Sequence, residues 1–397
     1  MLLSLALIFL CGMILGGLFH RLRLPPLLGM LLTGMLLGPS LLNLLDSSIL
    51  CISADLRKIA LIIILTRAGL NLELDELRQV GWPAVLMCFV PASFEIIGIL
   101  LLAPPLLGLS RLEAAILGTV LAAVSPAVVV PRMLRLMEEG WGRSAGVPQL
   151  VMAGASVVDV FVIVLFSAFT RLASGGSVSP LDLARIPISI VLGIAGGVLC
   201  GLGLSLLFRR FHLRDSLKVL IILSISFLLV TVEDHLTGVI GFSGLLAVMS
   251  LGVTLRLRRR EVAERLSAKY GKLWVAAELL LFVLVGAAVD LRYALLAGGA
   301  VVLVILGALV FRMAGVLVSV SGSRLSRKER LFTMVAYCPK ATVQAAIGGV
   351  PLAMGLACGQ MVLTAAVMAI LITAPLGAIA IDATYRRLLK RDPVEGH

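Results

Sequence analysis

The stretch Gly154-Ala-Ser-Val-Val-Asp159-Val-Phe-Val-Ile-Val-Leu-Phe166 reads as the middle of a membrane-spanning helix that carries one carboxylate. A charged carboxylate at the centre of a bilayer costs about 3 kcal/mol on insertion scales. An intramembrane acid is therefore a functional candidate by default. Ser156 precedes Asp159 by three residues, which places both oxygens on one helix face. The competing reading is a core Asp that is hydrogen-bonded to a neighbouring helix or kept protonated.

The rest of the chain supports the membrane reading. Of 397 residues, 60% are hydrophobic and 14% charged, against about 25% charged in soluble domains. Mean hydropathy is +1.11, and no polar stretch is long enough to hold a soluble domain. The net charge of +12 is concentrated in short loops, the positive-inside pattern of a membrane protein and not a nucleic-acid surface. Membrane lipids are the partners this implies, and no nucleic acid. Six cysteines lie mostly in apolar runs without CxxC pairs, as small buried hydrophobes. The four histidines lie outside the spans and are not spaced for a metal site. An enzyme and a resident cofactor are not expected. The glycines of Gly193–Gly201 suit close helix packing. Residues 2–19 read as a retained span.

About thirteen spans follow at the usual length of ~20 residues. They cover 2–19, 27–42, 52–70, 82–103, 113–136, 148–173, 186–208, 217–232, 237–255, 272–289, 294–320, 330–353 and 360–384. The rich basic loops all fall on one side of an odd count. This puts the N-terminus outside and the C-terminus in the cytoplasm of a cell (inner) membrane. The basic run Arg256–Lys272 reads most simply as a solvated cytoplasmic linker, and less readily as a lipid switch.

Internal repetition is visible. Spans four to six run acid, Pro-broken, acid; spans eleven to thirteen run base, Pro-broken, apolar. The breaks fall at Ser125-Pro126 and Pro339-Lys340. An offset of seven spans inverts the second copy. Inverted repeats with paired interrupted helices are a secondary-transporter pattern. Ala68-Gly-Leu-Asn-Leu72 and Ala287-Ala-Val-Asp-Leu291 echo one another at the ends of spans three and ten.

Four charges sit at comparable depth: Glu95, Asp159, Arg312 and Lys340. Glu95 and Arg312 occupy matching spans, and a structural ion pair between them is expected. Gln344 shares a face with Lys340, and Thr342 offers a hydroxyl where the backbone unwinds. Arg67 and Glu278 lie nearer span ends, either snorkelling or pairing with each other. Glu233-Asp234-His235 reads as an external loop end, or at most an ion-attracting vestibule.

These residues resemble a known family. Leu65-Thr-Arg-Ala-Gly-Leu-Asn-Leu72, Val124-Ser-Pro-Ala-Val-Val-Val-Pro131, Ala155-Ser156 with Asp159, and Pro339-Lys-Ala-Thr-Val-Gln-Ala-Ala-Ile-Gly348 are similar to motifs of the cation/proton antiporter superfamily, within it the NHA branch of sodium/proton antiporters. The resemblance implies an all-α polytopic membrane protein with two crossing discontinuous helices, assembled as a homodimer. It implies a scaffold of residues 1–80 and 181–290, a mobile core of 81–180 and 291–385, and a cytoplasmic tail of 386–397. The ion-binding acid maps to Asp159, the charged residue of the second crossing helix to Lys340, and the ion pair to Glu95 and Arg312. The chain departs from the family at Val158, where relatives carry Asp or Asn, and at Ser125, where many carry Asp.

The function expected is exchange of a monovalent cation, sodium or lithium, for a proton, with electroneutral stoichiometry. Asp159 binds cation or proton in competition. Ser156, Ser125, Thr342 and unwound carbonyls complete an oxygen shell, as a hard cation prefers. Lys340 balances Asp159 or holds the half-helix ends. The alternatives are a symporter of a small organic anion on the same fold and, lowest, a channel or ion-sensing subunit.

Overall fold

The computed structural model describes residues 1–71, 81–174, 180–211, 213–236 and 242–391; the side chains of 156, 160, 180–187, 234 and 236 lie outside that description. The helices are α1 (Leu2–Arg21), α2 (Pro26–Leu37), the short α3 (Ser47–Cys51), α4 (Ser53–Asn71), α5 (Trp82–Leu107), α6 (Arg111–Leu121), α7 (Pro126–Glu138), α8 (Val147–Ser174) and α9 (Pro180–Arg210). They continue as α10 (Asp215–Leu236), α11 (Gly244–Arg258), α12 (Arg260–Ala287), α13 (Leu291–Val320), α14 (Arg327–Ala336), α15 (Thr342–Ile347), α16 (Val350–Ala353) and α17 (Gly359–Leu388).

Among the described residues, nine helices or helix pairs are long and apolar enough to cross a membrane. The remaining expected spans correspond to α2, α4, α11 and the broken α14–α16. The chain is an all-α polytopic membrane protein. In lipid every backbone polar group needs an internal partner, and helices supply one.

Two compact units form. One contains residues 1–51, 74–166 and 282–397. In it α5 and α13 lie side by side. Their contact rests on glycines: Gly98 faces the Phe311 ring, and Gly315 faces the backbone of Pro91. Both broken helices belong to this unit, as does the first part of α8. The other unit contains residues 52–73 and 167–281. Here Gly193, Gly197 and Gly201 line the face of α9 that meets α11, where a Cβ on Gly197 would collide with the Ala247 carbonyl. This is the close packing that small residues permit in membranes.

The region from Arg256 to Lys272 is not a solvated linker. After a bend at Arg259 it enters α12, a continuous 28-residue helix. Ala263, Leu266 and Tyr270 recur at helical spacing and are fully buried. Arg256 is buried and paired with Glu264 at 3.0 Å. The Glu233 carboxylate also has a structural role. It accepts from the Gly244 amide at 2.8 Å, capping α11, and pairs with Arg171. His235 is exposed; the side chain of Asp234 lies outside the described residues.

Candidate functional site

Both broken helices begin alike. Ser110 accepts from the Glu113 amide at 3.3 Å, while Glu113 accepts from the Ser110 amide at 2.8 Å. Ser326 and Glu329 repeat this arrangement with the same two distances. Each is a capping box, in which each side chain accepts from the other residue's backbone N–H and so satisfies two orphan donors of the helix start. The first halves then run 11 residues in α6 and 10 in α14 before the backbone unwinds. At the first break Pro126 lacks an amide hydrogen, and the residue before a proline is pushed out of the helical region. Ser125 is extended, at φ −88° and ψ 106°. At the second break Ala341 takes φ −163° and ψ −75°. The two breaks touch: the Ser125 amide donates to the Pro339 carbonyl at 2.9 Å. The Lys340 amide donates to Thr373 Oγ1 of α17 at 3.0 Å.

Unwinding leaves carbonyls without helical partners, and side chains from the second repeat fill those of the first break. Lys340 Nζ donates to the Leu121 carbonyl. Arg312 donates to the Ala122 carbonyl, and at 3.3 Å to that of Tyr337 in the second break. Gln344 Nε2 donates to the Ala123 carbonyl at 2.9 Å. Two cations therefore sit at the C-terminal, partially negative end of α6, where positive charge is favoured.

One carboxylate holds both. Glu95 accepts from Arg312 Nε through Oε2 and from Lys340 Nζ at 2.6 Å through Oε1. Glu95 and Arg312 are fully buried, and Lys340 is 1% exposed. The result is a triad, in which Lys340 joins the Glu95–Arg312 pair. The Lys340 ammonium binds Glu95 and the end of the half-helix.

Asp159 lies on α8, which packs closely on its neighbours at Phe161 and Gly154. Phe161 meets Phe89 of α5 edge to face, with ring centroids 5.3 Å apart. The Tyr337 ring settles over Gly154, and its hydroxyl donates to the Met87 carbonyl at 2.8 Å. The Asp159 carboxylate is half-buried, and its Oδ1 is sealed from solvent without a hydrogen-bond partner among the described residues. Ser125 Oγ, Gln344 Oε1 and Thr364 Oγ1 are likewise sealed and unpartnered. Thr342 opens α15 and is buried. Val158 is fully buried. Ser156 has its side chain outside the described residues.

Arg67 and Glu278 belong to the other unit. Both are half-buried, and no hydrogen bond joins them among the described residues. The Arg67 guanidinium lies near Gly271, about two turns from Glu278 along α12.

The family model for the transmembrane sodium/hydrogen exchanger matches residues 5–386. The chain belongs to the sodium/hydrogen exchanger family. Sodium/hydrogen exchanger 9B2 of Mus musculus is 33% identical over 413 residues, covering 97% of this chain and 73% of the relative. Sodium/hydrogen exchanger 9B1 of Macaca fascicularis is 32% identical, with 97% and 78% covered. The solved sodium proton antiporter MjNhaP1 from Methanocaldococcus jannaschii superposes with a TM-score of 0.84 over 97% of each chain, at 22% identity. That likeness establishes the antiporter fold. As a member of the exchanger family the chain is a multi-pass membrane transporter and not an enzyme.

Sequence reading misses three site features: the capping boxes, Tyr337 and Thr373. The boxes stand in the sequence as Ser110-Arg-Leu-Glu113 and Ser326-Arg-Lys-Glu329. Tyr337 lies beside the Pro339 break, and that proximity was its only signal. Nothing in sequence distinguishes Thr373 from other span threonines.

Proposed function

We propose that this chain exchanges sodium or lithium for protons across a cell (inner) membrane, one for one, with Asp159 as the shared site. The observation that carries this is the unpartnered, sealed Oδ1 of Asp159, in the unit where Glu95, Arg312 and Lys340 are mutually satisfied. A carboxylate oxygen without a donor holds either a proton or a cation. The two compete, and competition for one group couples the two fluxes without further machinery.

Ser125 and Thr342, with Ser156, supply further oxygens for a hard cation. Carbonyls 121–123 contribute less than sequence alone suggests, because Lys340, Arg312 and Gln344 already use them. Lys340 and the Glu95–Arg312 pair brace the breaks. The chain works as a homodimer in contact with membrane lipids, with its N-terminus outside and its C-terminus in the cytoplasm. Family membership supports cation exchange and gives no support to organic-anion symport.

The test is Asp159→Asn in proteoliposomes, reading sodium- and lithium-dependent proton movement with and without an imposed potential. Loss of exchange in the variant, with wild-type rates insensitive to the potential, is expected. Full activity in the variant would sink the assignment of Asp159, and dependence on the potential would sink the stoichiometry.

A further inference from the structure

The second unit contains a cavity of about 450 Å³ that exchange does not use. Its lining includes Arg209, Arg214, Lys218, Arg259 and Arg265, with Asp215 as its one acid. Asp215 is already engaged by Lys218 at 3.3 Å and Arg265 at 3.1 Å. Among the described residues Arg209, Arg214 and Arg259 have no carboxylate partner. Arg209 and Arg214 are exposed and Arg259 is half-buried, so three arginines line one open space without a carboxylate partner among the described residues, a concentration of positive charge that attracts an anion. The site is built, because Lys218 is only 6% exposed and lies 5.6 Å from the centre of the Phe208 ring.

Position narrows the ligand. The cavity lies where α9 ends, α10 begins, and α11 gives way to α12. These are apolar helices, so their charged ends lie at the depth of lipid headgroups. Leu213 and Val262 join Phe208 on the wall, giving an apolar side next to a cationic one. Guanidinium groups match phosphate oxygens in a forked geometry.

We propose that this cavity binds a phosphate-bearing anion, held by Arg209, Arg214 and Arg259, and that the phosphate is the headgroup of an anionic phospholipid. The three arginines grip the phosphate, and the apolar wall accepts the start of the acyl chains.

The test uses the full chain in detergent with three additions: phosphatidylglycerol, phosphatidylcholine, and inorganic phosphate. Melting temperature and native mass spectrometry are the readouts. Phosphatidylglycerol is expected to raise the melting temperature and remain bound; phosphatidylcholine and inorganic phosphate do neither. Arg214→Ala and Arg259→Ala each weaken retention about fivefold, from about 1 kcal/mol per arginine near a charged surface. Arg214→Lys keeps much of it, and Arg324→Ala, in an exposed turn elsewhere, changes nothing. Arg214 is itself exposed, so its loss leaves the fold intact. An equal shift with inorganic phosphate would overturn the lipid assignment. Equal retention of phosphatidylglycerol and phosphatidylcholine, or unaltered retention in both alanine variants, would overturn the site.

Discussion

Glu95→Gln isolates what the buried triad contributes. The substitution keeps the shape of the side chain and removes the one anion that holds Arg312 and Lys340. An amide has a single oxygen, so its NH2 must point at one of the two cations, replacing an attraction with donor facing donor. The other cation keeps a hydrogen bond without a counter-charge. All three groups are essentially inaccessible to solvent, so water offers no compensation. Breaking a buried ion pair from one side costs about 3–5 kcal/mol. At roughly 2 °C per kcal/mol for a large domain, melting falls by roughly 6–10 °C. The assay is thermal melting of purified protein in detergent, followed by size exclusion. Arg312→Lys is the control. It keeps the charge but loses the fork that reaches Ala122 and Tyr337 as well as Glu95, so it destabilises by less. A Glu95→Gln protein that melts within 2 °C of wild type would refute the view that the triad braces the two breaks, given the ~3 kcal/mol minimum expected for a buried pair.

Three further outcomes follow. Asp159→Asn removes a charge whose Oδ1 has no partner, so it melts at or above the wild-type temperature while exchange is lost; a large destabilisation would mean that the carboxylate is structural. Gly154→Ala places a Cβ 2.6 Å from Tyr337 Oη and 3.0 Å from Met87 Cβ, which displaces the ring and costs about 1–3 kcal/mol. Adding Tyr337→Phe removes the nearer clash and recovers part of that loss in the same melting assay. Ser125→Ala removes a hydroxyl without a partner, so stability changes by less than about 1 kcal/mol. The sodium KM measured in proteoliposomes rises severalfold if the hydroxyl is a ligand, and an unchanged KM removes Ser125 from the shell.

Hydropathy and proline placement made the span order and both breaks legible, because a membrane leaves the backbone few choices. The matching positions of Glu95 and Arg312 in the two triplets also showed in the sequence. The bond from Lys340 to Glu95 did not. The long lysine side chain reaches several acceptors, and depth along a helix says nothing about azimuth. The basic run from Arg256 was misread because seven cations between Arg256 and Lys272 mask the stripe of Ala263, Leu266 and Tyr270. Glu233 caps a helix start eleven residues further along, a contact that only the folded chain supplies.

Charge arithmetic ties the triad to the proposed exchange. Glu95, Arg312 and Lys340 together carry one net positive charge, from two cations and one anion. With Asp159 ionised, the four groups sum to zero. With a proton or a monovalent cation on Asp159, they sum to one positive charge in either case. The two loaded forms are therefore electrostatically alike, and each crosses the same barrier. The empty ionised form is neutral within the cluster, but its Oδ1 faces a sealed interior without a donor. That unsolvated oxygen is what disfavours movement of the empty carrier. On this argument one-for-one coupling needs no second acid, and Val158 in place of a second acid is compatible with it. Val158→Asp would test the point. It adds a buried negative charge beside Asp159, and exchange should become sensitive to an imposed potential. A variant that still transports and remains insensitive would show that the cluster, and not the number of acids, sets the stoichiometry.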